Sequence, residues 1–417
     1  MHRFARSAPF AAPLLLLTVA CAGDSGGSAG GSTSEGATST GSSGIESGTS
    51  TGPSTGTSAD TETGTTGEPA KTEGCDGRPL LPVPADPSVR GPWAVGARTV
   101  TIAERTTEIW YPAAPGSEAG EATATYDLRL HLPAEEQGKI PDEANPWQPC
   151  ECYRDLPLDD AHGPYPVVVF IHGTAGFRTQ SLTFMTHWAS RGFVVVASDH
   201  TGITLGDVLG GNFGADQAGD AAKVLDALAA PAGETAFLAG HIDLGRVGLA
   251  GHSAGGNAIA GFGGRPGVRV LAPMAAGGAT PGAALESTLV LGGMVDGIVA
   301  YGSQQSGYEA AAPRKRLVGL AGAGHLAFSD LCVLGAEQGG ILQIALDYGV
   351  DVPPLLIPLA QDGCMPDNLS PEAGFEIIEA ASSAAFEEAL HCDAAMGAAL
   401  AGLPGRYPAI GEYQEAL

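Results

Sequence analysis

The chain has 417 residues and a formal charge of −26 at pH 7, from 46 Asp and Glu against 20 Lys and Arg. This acidity excludes nucleic-acid binding through phosphate contacts, which needs clustered Lys and Arg, and it disfavours attachment driven by anionic lipid headgroups. After the N-terminus no run of about 18 apolar residues occurs, so the sequence predicts a folded body without a membrane span.

The first 21 residues have the pattern of an export signal. Arg3 and Arg6 precede a short apolar segment, residues 11–19, and Cys21 stands at the head of a Gly/Ser-rich tract. The pattern resembles the lipobox of bacterial lipoproteins, although Thr18 stands where that family usually has Leu. The resemblance implies lipidation of Cys21 and membrane attachment through it. The alternative is a secreted protein in which Cys21 is free or removed.

Residues 22–74 have the composition of a disordered linker. From position 22 to position 70, 35 of 49 residues are Gly, Ser or Thr, and Ile45 is the single large aliphatic side chain. So little apolar surface cannot offset the conformational entropy of folding. A Gly-rich coil of this length has a root-mean-square reach of roughly 40 Å. We therefore predict one folded domain, residues 75–417, held at some distance from any anchor.

The remaining six cysteines predict up to three disulfides, because an even number is typical of exported proteins; 15 pairings are possible. Cys150 and Cys152 are separated by one residue, so we expect each to bond a distant partner. A metal site is the alternative, but the sequence lacks the Cys-x-x-Cys and His-x-x-x-His spacings that would support one. The six are Cys75, Cys150, Cys152, Cys332, Cys364 and Cys392.

From about residue 75 the chain alternates short aliphatic runs with helix-like segments, which is typical of a mostly parallel sheet with helices on both faces. Residues 112–165 form a Pro-rich, acidic insertion, and helices are expected over 181–190, 215–229 and 371–390, the last with Ser370 as N-cap. We predict an α/β fold with a doubly wound, eight-stranded sheet and a helical C-terminal extension, residues 332–417. The predicted strands are 98–102, 107–111, 166–171, 193–198, 246–250, 268–273, 288–291 and 316–320.

Ser253 is the candidate nucleophile. The segment Gly251-His252-Ser253-Ala254-Gly255 matches the G-x-S-x-G pattern, which is weak by itself in a chain with 62 glycines. Its context is specific, because it follows a predicted strand and precedes a segment able to start a helix. Such a turn exposes the serine hydroxyl at the carboxyl edge of the sheet, and the flanking glycines avoid Cβ clashes. The alternative is an ordinary glycine loop between a strand and a helix.

A serine hydroxyl needs a base to take its proton, and in this arrangement an acid and then a histidine follow at the ends of later strands. Asp296 follows strand 288–291 and His325 follows strand 316–320, both among glycines. We predict Asp296 as the orienting carboxylate and His325 as the base. Asp296 could instead be a solvated turn residue, with Asp330 as the leading substitute. Of the other histidines, His172, His200 and His252 precede the expected position, and His131, His162, His187, His241 and His391 lack strand-end glycines.

The oxyanion hole is expected in the loop after strand 166–171, His172-Gly173-Thr174-Ala175-Gly176. Small residues there let backbone N–H groups turn toward a substrate carbonyl. The predicted donors are the N–H groups of Thr174 and of Ala254, the residue after the nucleophile. His172 is expected to support this loop by hydrogen bonding rather than to act as a second base.

Together these motifs resemble the α/β-hydrolase superfamily over about residues 91–331. The closest branch comprises bacterial esterases related to platelet-activating-factor acetylhydrolase, polyester-degrading cutinases and chlorophyllases, whereas dienelactone hydrolases share the layout but have Cys at the elbow. The resemblance implies a hydrolase without metal or cofactor, in which Ser253, His325 and Asp296 act through an acyl-enzyme. In chain order the motifs are Trp110-Tyr111-Pro112, Tyr165-Pro166-Val167 to His172-Gly173, Ser198-Asp199-His200, Gly251 to Gly256, Val295-Asp296-Gly297 and Gly324-His325.

The sequence therefore predicts an exported carboxylic-ester hydrolase that acts on a small-molecule, lipid or polymer ester. One alternative is a hydrolase-like binding lipoprotein without catalysis, and another is a peptidase or acyltransferase with the same three residues. Trp110 is expected to pack in the core. The 112–165 insertion and the 332–417 extension lie outside the family core, and either could cover the active site.

Overall fold

The computed structural model describes residues 70–281, 283 and 285–417, so the predicted export signal (1–21), Cys21 and most of the predicted linker lie outside the described residues. The strands are β1 (Lys71–Glu73), β2 (Pro79–Val83), β3 (Val95–Ile102), β4 (Arg105–Pro112), β5 (Thr123–Tyr126), β6 (Gln148–Arg154), β7 (Tyr165–Ile171), β8 (Val194–Ser198), β9 (Ile242–His252), β10 (Val268–Met274), β11 (Ser287–Gly293), β12 (Lys315–Leu320) and β13 (Ile410–Ala416). The α-helices are α1 (Ala134–Gln137), α2 (Leu182–Ser190), α3 (Leu205–Leu209), α4 (Gln217–Leu228), α5 (Ala254–Ala258), α6 (Tyr301–Ala310), α7 (Ile341–Asp347), α8 (Ile357–Gln361), α9 (Pro371–Leu390) and α10 (Ala395–Arg406).

Eleven strands of the described part form one sheet, in the order β13-β12-β11-β10-β9-β7-β8-β4-β3-β6-β5, and β1 pairs separately with β2. The six strands from β12 to β8 run parallel. The α/β class and the mostly parallel sheet are therefore confirmed. All eight predicted strands are present, but the sheet has eleven because β5, β6 and β13 add to its edges.

The parallel strands contain unbroken apolar runs because both faces of the sheet are covered. In β7 every residue is buried, and alternate side chains enter different cores. Val168 and Phe170 pack with Trp188 of α2 and with α9, whereas Val167 and Val169 pack with Leu225 of α4 on the opposite face. This two-sided burial positions the carboxyl ends of the strands rigidly, and the candidate site lies at those ends.

The C-terminal extension belongs to the core. Helix α9 has the predicted bounds, and Ser370 caps it by accepting the Ala373 N–H. Phe386 of α9 packs so closely on β9 that a Cβ at Gly248 would lie 2.9 Å from its ring. The extension is not wholly helical, since its last residues form the edge strand β13. In the described part no helix, α9 included, is long and apolar enough to cross a membrane.

Three disulfides join all six cysteines of the described part: Cys75–Cys392, Cys150–Cys152 and Cys332–Cys364. The expectation that Cys150 and Cys152 bond distant partners was wrong. Both lie in β6, where residues two apart face the same side, and their Cα atoms are 5.0 Å apart, within the range that a disulfide spans. The Cys332–Cys364 bond closes a segment, residues 332–364, that we call the disulfide loop.

Candidate active site

Ser253 lies at the turn between β9 and α5, as the elbow pattern predicts. Its backbone has φ 55° and ψ −118°, and a positive φ of this kind is strained for a residue with a Cβ. Glycine is required on both sides, because a Cβ at Gly251 would lie 2.5 Å from the Gly255 carbonyl and one at Gly255 would overlap the carbonyl of Ile171. Close packing of β7, β9 and α5 therefore holds Ser253 at the carboxyl edge of the sheet.

Asp296 follows β11 and His325 follows β12, and a hydrogen bond of 2.9 Å joins Asp296 Oδ2 to His325 Nδ1. Both side chains are fully buried. Asp296 Oδ1 also accepts the N–H groups of Ile298 (2.8 Å) and Val299 (2.7 Å), and Oδ2 accepts Gln304 Nε2 at 3.0 Å. Because an ionised carboxylate only accepts hydrogen bonds, the imidazole proton resides on Nδ1 and Nε2 is the basic nitrogen.

Ser253 and His325 lie at the same edge of the sheet, and His252, the residue before Ser253, contacts His325. His252 Nε2 donates to the His325 backbone O at 2.9 Å, and the centroids of the two imidazole rings are 4.7 Å apart. His325 Nε2 is buried and has no hydrogen-bond partner among the described residues, Ser253 Oγ included. In hydrolases without substrate the bond from the base to the nucleophile is often long and tightens on binding.

Two other histidines at this edge have both ring nitrogens engaged. His172 Nδ1 donates to the next residue's carbonyl at 2.8 Å, and its Nε2 accepts the His200 N–H at 3.0 Å. Gln180 Nε2 donates to His252 Nδ1 at 2.8 Å, while His252 Nε2 donates to His325 O. Burial lowers the pKa of both rings, that of His252 to about 3, so both are neutral at pH 7. They support the loops, as expected for His172.

The predicted oxyanion loop packs directly against the elbow, since a Cβ at Gly173 would lie 3.1 Å from Ser253 Cβ. The Gly173 N–H is engaged by Gln180 Oε1 at 3.2 Å. The N–H groups of Thr174 and Ala254, in contrast, donate to no other group within residues 70–281, 283 and 285–417. Both predicted donors are therefore available to a substrate oxygen.

Asp362 is a residue of this site that the sequence analysis missed. Its Oδ1 accepts the His325 N–H at 2.5 Å, and its Oδ2 accepts the N–H of Gly297, the neighbour of Asp296, at 3.0 Å. One carboxylate thus joins the turn that holds Asp296 to the turn that holds His325. No motif could have indicated it, because it lies 37 residues beyond His325 and follows no strand of the sheet.

Asp330, the substitute considered for Asp296, lies elsewhere. Its Oδ2 accepts Gln148 Nε2 at 3.0 Å and the Thr183 N–H at 3.2 Å, and in the described structure it makes no hydrogen bond to His325. Burial raises the pKa of Asp330 to about 6. Asp330 therefore joins the insertion to α2 and does not orient the imidazole.

A cavity of about 140 Å³ opens beside these residues, and Thr174, His252 and His325 are among the residues that line it. Its other walls are mostly aliphatic and come largely from the two segments outside the predicted family core. The insertion contributes Leu128, Leu132 and Ile140, and the disulfide loop contributes Ile341, Leu342, Ile344, Ala345, Val350, Val352, Leu356, Leu359 and Ala360. Both segments thus cover the candidate site.

The strand order and the tight turn at Ser253 between β9 and α5 are those of the α/β-hydrolase fold. A family model for chlorophyllase matches residues 156–263, and one for platelet-activating factor acetylhydrolase, isoform II, matches residues 86–203. The resemblance to these two families is therefore confirmed, and the matches support an esterase function.

The fold is also that of a solved esterase. The structure of the ferulic acid esterase from Streptomyces cinnamoneus superposes with a TM-score of 0.52 at 18% sequence identity, covering 73% of this chain and 92% of that chain. No curated protein matches the chain in sequence. The similarity to the Streptomyces enzyme therefore concerns the fold, and the chemistry has to be argued from the residues of the site.

Proposed function

We propose that this protein is an exported serine hydrolase of carboxylic esters, with Ser253 as nucleophile, His325 as general base and acid, and Asp296 as the carboxylate that orients it. The observation that supports this most strongly is the buried Asp296–His325 hydrogen bond beside the strained Ser253 turn. It fixes the tautomer in which Nε2 accepts a proton, and Nε2 is the nitrogen that remains unengaged.

The reaction follows from these positions. His325 Nε2 takes the Ser253 hydroxyl proton as Oγ bonds to the acyl carbon. The carbonyl oxygen becomes an oxyanion, to which the N–H groups of Thr174 and Ala254 donate hydrogen bonds. The C–O bond to the alcohol then breaks, and the alcohol leaves with the proton from Nε2. Water, deprotonated by His325, attacks the acyl-Ser253 ester, and the carboxylic acid and free serine result.

Export is part of the same proposal. Three disulfides among the described residues fit an oxidising compartment, and the 1–21 segment has the pattern of an export signal. We extend the proposal to lipidation of Cys21, which would hold the domain near a membrane through the 22–74 linker and give it access to small-molecule, lipid or polymer esters there.

The test compares Ser253→Ala with Ser306→Ala, a change at an exposed serine of α6 that donates only within its own helix. With p-nitrophenyl butyrate, Ser253→Ala is expected to lose turnover by at least about 10⁴-fold, because the other residues alone accelerate the reaction only weakly. Ser306→Ala should match the unchanged protein. If Ser253→Ala retains most of the activity, Ser253 is not the nucleophile.

A serine-directed fluorophosphonate separates the remaining alternatives. Labelling of Ser253 with hydrolysis of esters, but not of matched amides, supports the ester hydrolase. Labelling without turnover of any ester would instead support a binding protein, and faster amide cleavage or acyl transfer to an added alcohol would support a peptidase or an acyltransferase.

A further inference from the structure

The cavity beside the site has a chemical character that narrows the substrate. Thr174 and His325, beside which the acyl carbonyl of a bound ester would lie under the proposed function, are among its lining residues, and most of the others are aliphatic. The apolar walls are built by three packed clusters, around Ile140 and Ile344, around Leu128 and Phe177, and around Val208 and Leu356. An occupant must therefore be apolar.

Among the described residues, Arg129 is the one Lys or Arg side chain in the cavity wall, and its charge is already neutralised. Arg129 donates from Nε and Nη2 to Asp127 and from Nη1 to the Ile140 carbonyl, and Asp142 lies 2.7 Å from Nη1. With both partners acidic, the guanidinium offers no net positive charge to a phosphate or carboxylate. The charge distribution therefore disfavours an anionic occupant and favours an uncharged hydrocarbon chain.

The cavity also limits the length of that chain. At about 140 Å³ it is close in size to an engineered apolar cavity of about 150 Å³ in another protein, which binds benzene. It therefore accommodates about six carbon atoms.

The cover of the cavity, which consists of residues 127–146 and the disulfide loop, is held in place. The Cys332–Cys364 bond closes the disulfide loop, Lys139 Nζ donates to Gly349 O at 2.7 Å, and the Asp351 N–H donates to Glu136 Oε2 at 3.1 Å.

We propose that this cavity binds the acyl chain of the ester and selects unbranched aliphatic acyl groups of about four to eight carbons. The inference rests on the proposed function. The acyl group is the half of the substrate that stays bonded to Ser253 while the alcohol departs and water enters, so it is the half that a covered apolar cavity suits. The alcohol needs a path to solvent.

The test measures kcat/KM of the full chain for p-nitrophenyl esters with acyl chains of 2 to 16 carbons. We expect a maximum near six carbons and a fall of at least tenfold by 12 carbons. Ala345→Phe, which adds a ring to the cavity wall on α7, should move the maximum to two to four carbons. The control is Leu346→Phe, since Leu346 is exposed on the same helix and does not line the cavity.

A second series of acetate esters with alcohols of increasing length identifies the half that is bound. The rates of this series should vary little with the length of the alcohol, and this small variation should be the same in Ala345→Phe and Leu346→Phe. Three results would overturn the assignment of the cavity to the acyl chain. The rate could keep rising up to 16 carbons, or Ala345→Phe could give the same chain-length profile as Leu346→Phe. The third is a rate that depends on the length of the alcohol and that Ala345→Phe shifts. Fluorophosphonate labelling of Ser253 in each variant shows, independently of the chain-length profile, that the variant is folded and that its nucleophile is intact. If the unchanged protein is not labelled at Ser253, the result contradicts the proposed function and not the acyl assignment.

Discussion

The parallel core and its cover both line the cavity, but different interactions hold their residues in place. In the core, Ser253, Asp296 and His325 each follow a buried parallel strand, and their positions are set by backbone packing. The cover consists of residues 127–146 and the disulfide loop, with only short helices, and polar cross-links and one disulfide hold it. Under the proposed function, the core would supply the chemistry and the cover would select the esters that reach it.

The two regions are not independent, because Asp362 belongs to the cover and contacts the core. Its carboxylate accepts N–H groups from both turns that hold the acid and the base. A change in the cover can therefore alter catalysis as well as substrate choice. The predictions below separate these contributions.

The largest effect is expected in the core. Replacing His325 by Ala removes the group that accepts the Ser253 proton, so kcat with p-nitrophenyl butyrate should fall about 10⁴-fold. The control is His241→Ala, a change at a half-buried histidine just before β9. A loss of less than tenfold in His325→Ala would assign the base elsewhere.

The disulfide loop gives the next effect. Exchanging Cys332 and Cys364 together for Ser opens a loop of 32-residue separation, which should lower the free energy of unfolding by about 3 kcal/mol, measured by denaturant titration. The looser cover should also admit longer acyl chains, raising the ratio of the 12-carbon to the 6-carbon rate.

The matched control exchanges Cys150 and Cys152 for Ser, because their bond closes a separation of only two residues and its loss adds little chain entropy. That variant should keep the chain-length profile. If both double variants change the profile alike, the disulfide loop does not set the limit.

The same division explains how far the sequence could predict the structure. The parallel strands are recognisable because two-sided burial requires unbroken apolar runs such as 166–171, and β3 shows instead the alternating burial of a strand with one face toward solvent. The strands β5, β6 and β13 contain no unbroken apolar run, because β5 and β6 bury only alternate residues and β13 buries none completely. The bond between Cys150 and Cys152 depends on a local geometry that cysteine counting does not contain.

The residues of the candidate site also fall into those that the sequence could predict and those that it could not. The turns holding Ser253, Asp296 and His325 can be located because glycine and strand-end position leave a local pattern. Asp362 reaches His325 from 37 residues further along the chain, and Gln304 reaches Asp296 from the next helix, α6, so no motif spacing indicates either contact. The identity of the residues that line the cavity follows from how two insertions pack on each other, which is tertiary information.

Asp362→Asn tests the link between cover and core. An amide has one acceptor oxygen and cannot serve both N–H groups, so the two turns should separate slightly and kcat should fall about tenfold, with KM nearly unchanged. A change in the pH profile of kcat, without a change in melting temperature, would identify positioning of His325 as the cause. Asp367→Asn, at an exposed aspartate just beyond the disulfide loop, is the control, and equal kcat in the two variants would remove Asp362 from this role.

The smallest effect concerns Asp330, which joins the insertion to α2. Because burial raises its pKa to about 6, the folded protein binds this proton more tightly than the unfolded chain. Its stabilising contribution is therefore full below pH 4 and is lost as the pH rises through 6. Asp330→Asn should gain stability relative to the unchanged protein by about 2 kcal/mol between pH 4 and pH 8. A difference that is the same at both pH values would contradict this account.

The most direct test of the central claim is to trap the acyl-enzyme. The full chain is mixed with p-nitrophenyl butyrate, quenched in acid within the first turnover, digested and examined by mass spectrometry. The account predicts one butyryl group on the peptide that contains Ser253, and none in Ser253→Ala. A butyryl group on another residue, or rapid turnover with no acylated peptide at any quench time, would contradict it.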